Sequence, residues 1–177
     1  MQIKLTSVSD AEAISRYYLE NYHALKHLKP WEPEREVTSD SINAWRKRLA
    51  ERDNEMLAGQ ARYFIALDST GQHVMASCSL TQIARGGFQA AYMGYSVAQK
   101  YEGQGVMRQL CEHVVRYAFE ELTLNRIMAN HLPSNDRSAK LLARLGFVRE
   151  GFASKYLRIN GRWEDHVLNA LINPSNV

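Results

Sequence analysis

Apolar residues change their spacing several times along this chain, and each change predicts an element. Ile3 and Leu5 alternate with Lys4 and Thr6, the two-residue period of a short strand. Ser9 or Asp10 then offers an N-cap to a helix whose apolar positions include Ile14, Tyr18 and Leu25. Pro30 and Pro33 bar a helix from continuing, so residues 28–33 read as loop. A second helix is predicted over 38–57, ending near Gly59. The period then drops to two, with strands over 63–67 and 74–80 and a turn at Asp68-Ser69-Thr70-Gly71 between them. Arg85-Gly86-Gly87 offers a further turn before a strand over 90–97. From Met107 the residues Leu110, Cys111, Val114, Val115 and Ala118 return to helical spacing. A strand over 126–131 follows, then a helix over 138–145 with Gly146 as its C′ residue. Strands over 156–159 and 163–170, joined at Asn160-Gly161, end the pattern. The predicted order is β-α-α-β-β-β-α-β-α-β-β, an α+β fold with one mixed sheet flanked by helices.

Composition narrows the class. The chain has 177 residues, 45% hydrophobic and 23% charged, with no internal repeat or linker, so residues 1–177 are expected to form a single domain. No run approaches the ~20 apolar residues that span a bilayer. The first residues, Met1 to Thr6, lack the apolar stretch of an export signal. Cys78 and Cys111 sit in separate apolar runs, which favours buried free thiols over a disulfide or a metal site. Those features predict a cytoplasmic protein with no metal and no membrane partner. A net charge of +3 permits contact with phosphates but falls short of a nucleic-acid-binding balance, so no direct DNA binding is expected.

The stretch richest in chemistry joins the strand ending at Tyr95-Ser96-Val97 to the helix from Met107. Between them stand Glu102-Gly103-Gln104-Gly105-Val106, with glycines at i and i+2. Glycines let backbone N–H groups turn inward, and a helix N-terminus adds unpaired donors, so the product is a cradle for a diphosphate. A plain tight turn is the competing reading of this segment alone. Two nucleotide motifs are absent: there is no GxxxxGK[ST], and GxGxxG fails at Arg108.

This loop, with Asn135, Ser138 and Leu145-Gly146-Phe147 about 30 residues later, resembles the GCN5-related N-acetyltransferases. The element order matches that fold over essentially the whole chain. Leu28-Lys29-Pro30-Trp31-Glu32-Pro33, the block from Arg137 to Phe147, and Trp163-x-Asp165-His166-Val167-Leu168 are similar to the RimJ-type ribosomal-protein-alanine N-acetyltransferases. The first loop-motif position is Lys100 where the family has Gln or Arg, a departure that backbone donors can absorb.

The resemblance implies acetyl-CoA as co-substrate and direct transfer to an N-terminal α-amine within a ternary complex. The implied acceptor is a small-subunit ribosomal protein beginning with Ala or Ser, with possible ribosome association. It assigns cofactor binding to Tyr95, Ser96, Val97, Glu102, Gly103, Gln104, Gly105, Val106, Met107, Asn130, Asn135 and Ser138. The carbonyl is expected to meet a backbone N–H near Gly94 or Tyr95, with Gly94 at a bulge that splays the strand; a packing glycine is the alternative. Asn135 is similar to a pantetheine-contacting asparagine, and Ser138 to a serine facing the departing sulfur. A tyrosine common in the wider family falls at Leu142 here, which favours Ser138 as the donor. An ordinary helix start explains the same two residues structurally. Glu32, His131 and His166 are the candidate bases, each with a structural role as the alternative, and Trp31, Glu32, His131 and His166 are the candidate acceptor contacts. Tyr17, Tyr18 and Tyr22 read as packing. The alternatives on this fold are acetylation of a small amine (polyamine, amino sugar or antibiotic) and a ribosome- or RNA-associated binding protein.

Overall fold

The computed structural model describes residues 1–27 and 41–175. The loop predicted at 28–33 and the start of the second helix at 38 lie outside the described residues. The elements are β1 (Gln2–Leu5), α1 (Ala11–Glu20), α2 (Tyr22–Leu25), α3 (Ser41–Leu57), β2 (Arg62–Leu67), β3 (Val74–Ala84) and β4 (Ala90–Val97). They continue with α4 (Val106–Glu120), β5 (Arg126–Met128), α5 (Asp136–Arg144), β6 (Val148–Ile159) and β7 (Arg162–Ile172). All strands join one seven-stranded sheet in the order β1-β2-β3-β4-β5-β7-β6. Only the central β4–β5 pair is parallel; every other neighbour is antiparallel. The α+β mixed-sheet prediction therefore holds.

Period-2 alternation sorts side chains to two covered faces. Phe64 and Ala66, Ala76, Cys78 and Leu80, and Ala91 and Met93 meet Val106, Leu110, Cys111, Val114 and Ala118 of α4. Alanines at three of these sheet positions let the helix lie close. Ile65, Leu67 and Val74 meet Ile14 and Tyr17 of α1 and Leu49 of α3 on the opposite face. Leu110 is fully buried at the centre of the α4 face. Leu110→Ala should therefore cost about 2–5 kcal/mol. Urea unfolding would read this as a lowered midpoint at unchanged slope; an unmoved midpoint would contradict the packing.

Four boundaries differ from expectation. The first helix breaks at Asn21, whose Nδ2 donates to the Tyr17 carbonyl at 2.8 Å while its Oδ1 accepts from the Gln99 N–H at 2.9 Å. Its side chain competes with the helix backbone and ties the break to the end of β4. The strand predicted over 126–131 keeps neighbours on one edge only after Met128: Ala129 and His131 still donate to Asn169 and Val167. β3 extends to Ala84 past an irregularity beyond Thr81, where Gln82 takes φ 51. β6 begins at Val148 rather than 156. It is an edge strand, exposed along most of its length and irregular near Lys155, so no burial pattern marks it. Among the described residues no helix is long and apolar enough to cross a membrane.

Candidate active site

The sheet opens where β4 and β5 part. Their pairing covers only Ala90 to Tyr92 against Arg126 to Met128. Ala98 N–H donates to the Met75 carbonyl at 2.9 Å, and antiparallel bonding alternates, so Ser96 and Gly94 also spend their amides on β3. The opposite edge is fixed by the Gln89 carbonyl, which accepts from Asn125 at 2.7 Å on the β5 side. Main-chain groups of Met93, Tyr95 and Val97 thus face the gap. Of the two amides expected near the acetyl carbonyl, the one turned to the gap is that of Tyr95. Gly94 pairs with Ser79 in register, without the expected bulge; the splay comes from β5 leaving β4 after Tyr92.

At the end of β4, Gly103 and Gly105 both take left-handed conformations, φ 73 and 78, and Gly105 caps α4. A Cβ on Gly103 would enter open space, and one on Gly105 would come within 3.9 Å only of the Gln109 Nε2. The open space beside the amides that begin α4 fits a diphosphate. Val106 is buried in the core, so only its backbone belongs to the loop, and the Met107 Sδ takes a 3.5 Å contact from Cys111. Glu102 is ion-paired with Arg137 of α5, linking the two sides of the cleft. Gln104 donates to the Lys100 carbonyl at 2.7 Å, and the Lys100 ammonium stands 5.0 Å from the Tyr101 ring.

Ser138 is 7% exposed in the first turn of α5. Asn135 is the N-cap of that helix, its Oδ1 accepting from the Ser138 N–H at 3.1 Å. The Ser138 hydroxyl lies 2.5 Å from the Tyr95 hydroxyl, so α5 meets β4 beside the gap. Burial pushes the Tyr95 phenol well above its usual range and keeps it protonated. Sequence reading selected Tyr95 for its backbone and missed this phenol. The signal lay in the alternation that puts Tyr95 on the same face as Met93 and Val97.

Ser96 turns the other way. Its hydroxyl lies 2.8 Å from that of Tyr17 and 2.9 Å from that of Ser77, a buried knot tying α1 to the sheet. Asn130 is also committed: Nδ2 donates to the Tyr156 hydroxyl at 3.2 Å and Oδ1 accepts from the Asn169 N–H at 3.2 Å. Tyr156, pushed up to about 12 by burial and then by Tyr92, lies 5.5 Å from the His166 ring. Tyr92 and Tyr156 lie within the strands predicted over 90–97 and 156–159, but their meeting was missed because it depends on the strand order β4-β5-β7-β6. His131 Nδ1 is 2.8 Å from the Leu132 carbonyl and His166 Nδ1 is 3.1 Å from that of Glu164. Trp31 and Glu32 lie outside the described residues. Among the described residues, no group of His, Cys, Asp or Glu is placed to hold a metal.

Burial lowers the pKa of His166 below 6.5, with His131 adding to the effect. The unfolded chain takes up this proton first as pH falls. Stability is therefore full above about pH 6.5, declines through the window down to the folded-state value, and levels below it. His166→Gln should flatten that decline in denaturation midpoints measured from about pH 7.5 to 5. Equal slopes for both proteins would refute the assignment.

An acetyltransferase (GNAT) domain model matches residues 3–148. The [ribosomal protein uS5]-alanine N-acetyltransferase of Escherichia coli (strain K12) is 40% identical over 172 residues, 97% of this chain and 87% of that protein. The solved structure of the ribosomal-protein-S5-alanine acetyltransferase from Vibrio fischeri superposes with TM-score 0.91 at 38% identity, covering 98% and 93% of the two chains. Mycobacterium smegmatis RimJ, solved in complex with CoA-disulfide, gives TM-score 0.90 at 26% identity over 98% and 82%. A free edge on β4, a glycine-opened loop at the start of α4 and matches over nearly the full length lead to one statement: the chain belongs to the GNAT acetyltransferase family.

Proposed function

We propose that this protein acetylates the N-terminal α-amine of a protein beginning with Ala or Ser, with a small-subunit ribosomal protein as acceptor. The observation that carries this reading is the 40% identity, spread over 97% of the chain, to an enzyme named for uS5 alanine N-acetylation. The likeness covers the acceptor half as well as the loop.

Acetyl-CoA, when bound, supplies a thioester acetyl group, so that a C–S bond is exchanged for C–N and the amine's proton finally resides on sulfur. The chain's own residues divide the remaining work. Amides at Gly103, Gln104, Gly105, Val106 and Met107 receive the diphosphate, and Glu102 keeps Arg137 near it. Met93, Tyr95 and Val97 offer main-chain groups to the pantetheine arm, with the Tyr95 N–H available to polarise a carbonyl oxygen. Asn135 fixes the first turn of α5, and Ser138 donates toward the sulfur. Tyr92 and Tyr156, with His131 and His166, are assigned to the acceptor side, and Trp31 and Glu32 are assigned to it from sequence. His166, with its lowered pKa, is neutral near pH 7 and does not repel an incoming ammonium.

Thiol release with a short Ala- or Ser-starting peptide tests the reading against spermidine and an aminoglycoside. The peptide should be the preferred acceptor. Exclusive use of a small amine would replace this reading, and RNA retention without turnover would favour a binding protein.

A further inference from the structure

Ser138 has one proton to give, and its surroundings decide where that proton points. A first-turn serine otherwise turns its hydroxyl back to carbonyls of its own helix. Here its oxygen is engaged across the cleft by the Tyr95 hydroxyl at 2.5 Å. Both ends are held: Asn135 caps the Ser138 N–H, and the Tyr95 ring packs against the α4 core. A phenol is a far stronger acid than an aliphatic alcohol, so the favoured arrangement has Tyr95 donating and Ser138 accepting.

We propose that Tyr95 is a positioning residue for Ser138: its hydroxyl occupies the serine oxygen as acceptor and thereby commits the serine proton to the departing sulfur. The inference rests on the transferase reading of this site. Tyr95 then serves the gap twice, with a backbone N–H on the free edge of β4 and a phenol supporting the donor on α5. Burial keeps the phenol protonated, so this support persists through neutral and mildly alkaline pH. Without it, the serine hydroxyl samples its other rotamers and loses time in the productive one.

The test combines Tyr95→Phe, Ser138→Ala and the double variant, with two readouts. The first is steady-state turnover with an Ala-starting peptide. The second is ultraviolet titration of the thiol of bound CoA, taken as a difference against bound dethio-CoA. Tyr95→Phe should lower kcat about 3- to 10-fold with little change in the KM for acetyl-CoA. The bound thiol pKa should rise by about half to one unit, the same factor seen in the thiolate. Both effects should vanish in the Ser138→Ala background, because the phenol acts only through that serine. p-Aminophenylalanine at 95 keeps a donor at the same place and should restore most of the turnover; this variant also decides the matter if Tyr95→Phe does not fold. Full activity in a folded Tyr95→Phe overturns the proposal, as does an undiminished effect of Tyr95→Phe in the Ser138→Ala background. Wild-type turnover in Ser138→Ala alone overturns instead the transferase role of Ser138, so the two failures are distinct.

Discussion

Ser138→Ala lowers kcat by about 10- to 1000-fold while the protein stays folded. One donor aimed at developing charge is worth about 1.5–3 kcal/mol, and somewhat more in a site closed to water. Ser138 has the required setting, since it is buried, its N–H is held by Asn135, and its oxygen is met by Tyr95. The helix itself tolerates alanine well. Losing the hydroxyl leaves the Tyr95 phenol without this partner, so a modest fall in melting temperature accompanies the kinetic loss. A thiol pKa of ~8.5 makes the thiolate an acceptable leaving group near neutrality, which is why some turnover survives. Wild-type kcat in the variant would return Ser138 to being an ordinary residue in the first turn of α5.

Blocking the acceptor's N-terminus abolishes transfer, and the pH profile reports why. Neutralising an α-amine of pKa ~8 at pH 7 costs only about 1 kcal/mol, whereas a lysine near 10.4 costs about 4.6. An α-amine acceptor therefore needs no strong base. With an Ala-starting peptide, log kcat/KM should rise with unit slope from about pH 6 and bend near pH 8, the acceptor's own pKa. Glu32→Gln, His131→Ala and His166→Ala should each retain measurable activity. Preferred acetylation of an N-terminally blocked, lysine-containing peptide would overturn the α-amine assignment. Steep dependence on one of those three groups would point to a more basic amine.

The boundary between sequence and structure runs through particular residues. The glycines at 103 and 105, a strand before them and an amphipathic helix after them are local features, and they were legible as a glycine-opened turn at a helix start because backbone conformation there depends on near neighbours. The two sheet faces were legible for a similar reason, since alternation along β2, β3 and β4 encodes which side each residue takes. Asn135 and Ser138 were legible as the start of a short helix, and their roles came from the family resemblance. Edge strand β6 was not, because a strand paired on one side and exposed on the other leaves little hydrophobic pattern.

Tertiary structure decided what no local window contains. The parting of β4 from β5 after Tyr92 sets which amides face the cleft, and it depends on β5 turning toward β7. The approach of α5 to β4 brings Tyr95 and Ser138 together although 43 positions separate them. The same holds for the Tyr17–Ser77–Ser96 knot and for the Asn130–Tyr156 contact beside His166. By itself the sequence determined most of the elements, their faces and the glycine loop between β4 and α4, because periodicity and glycine act over a few residues. Only the packed sheet decided which side chains share the gap, because those contacts arise from strand order and helix placement across the whole chain.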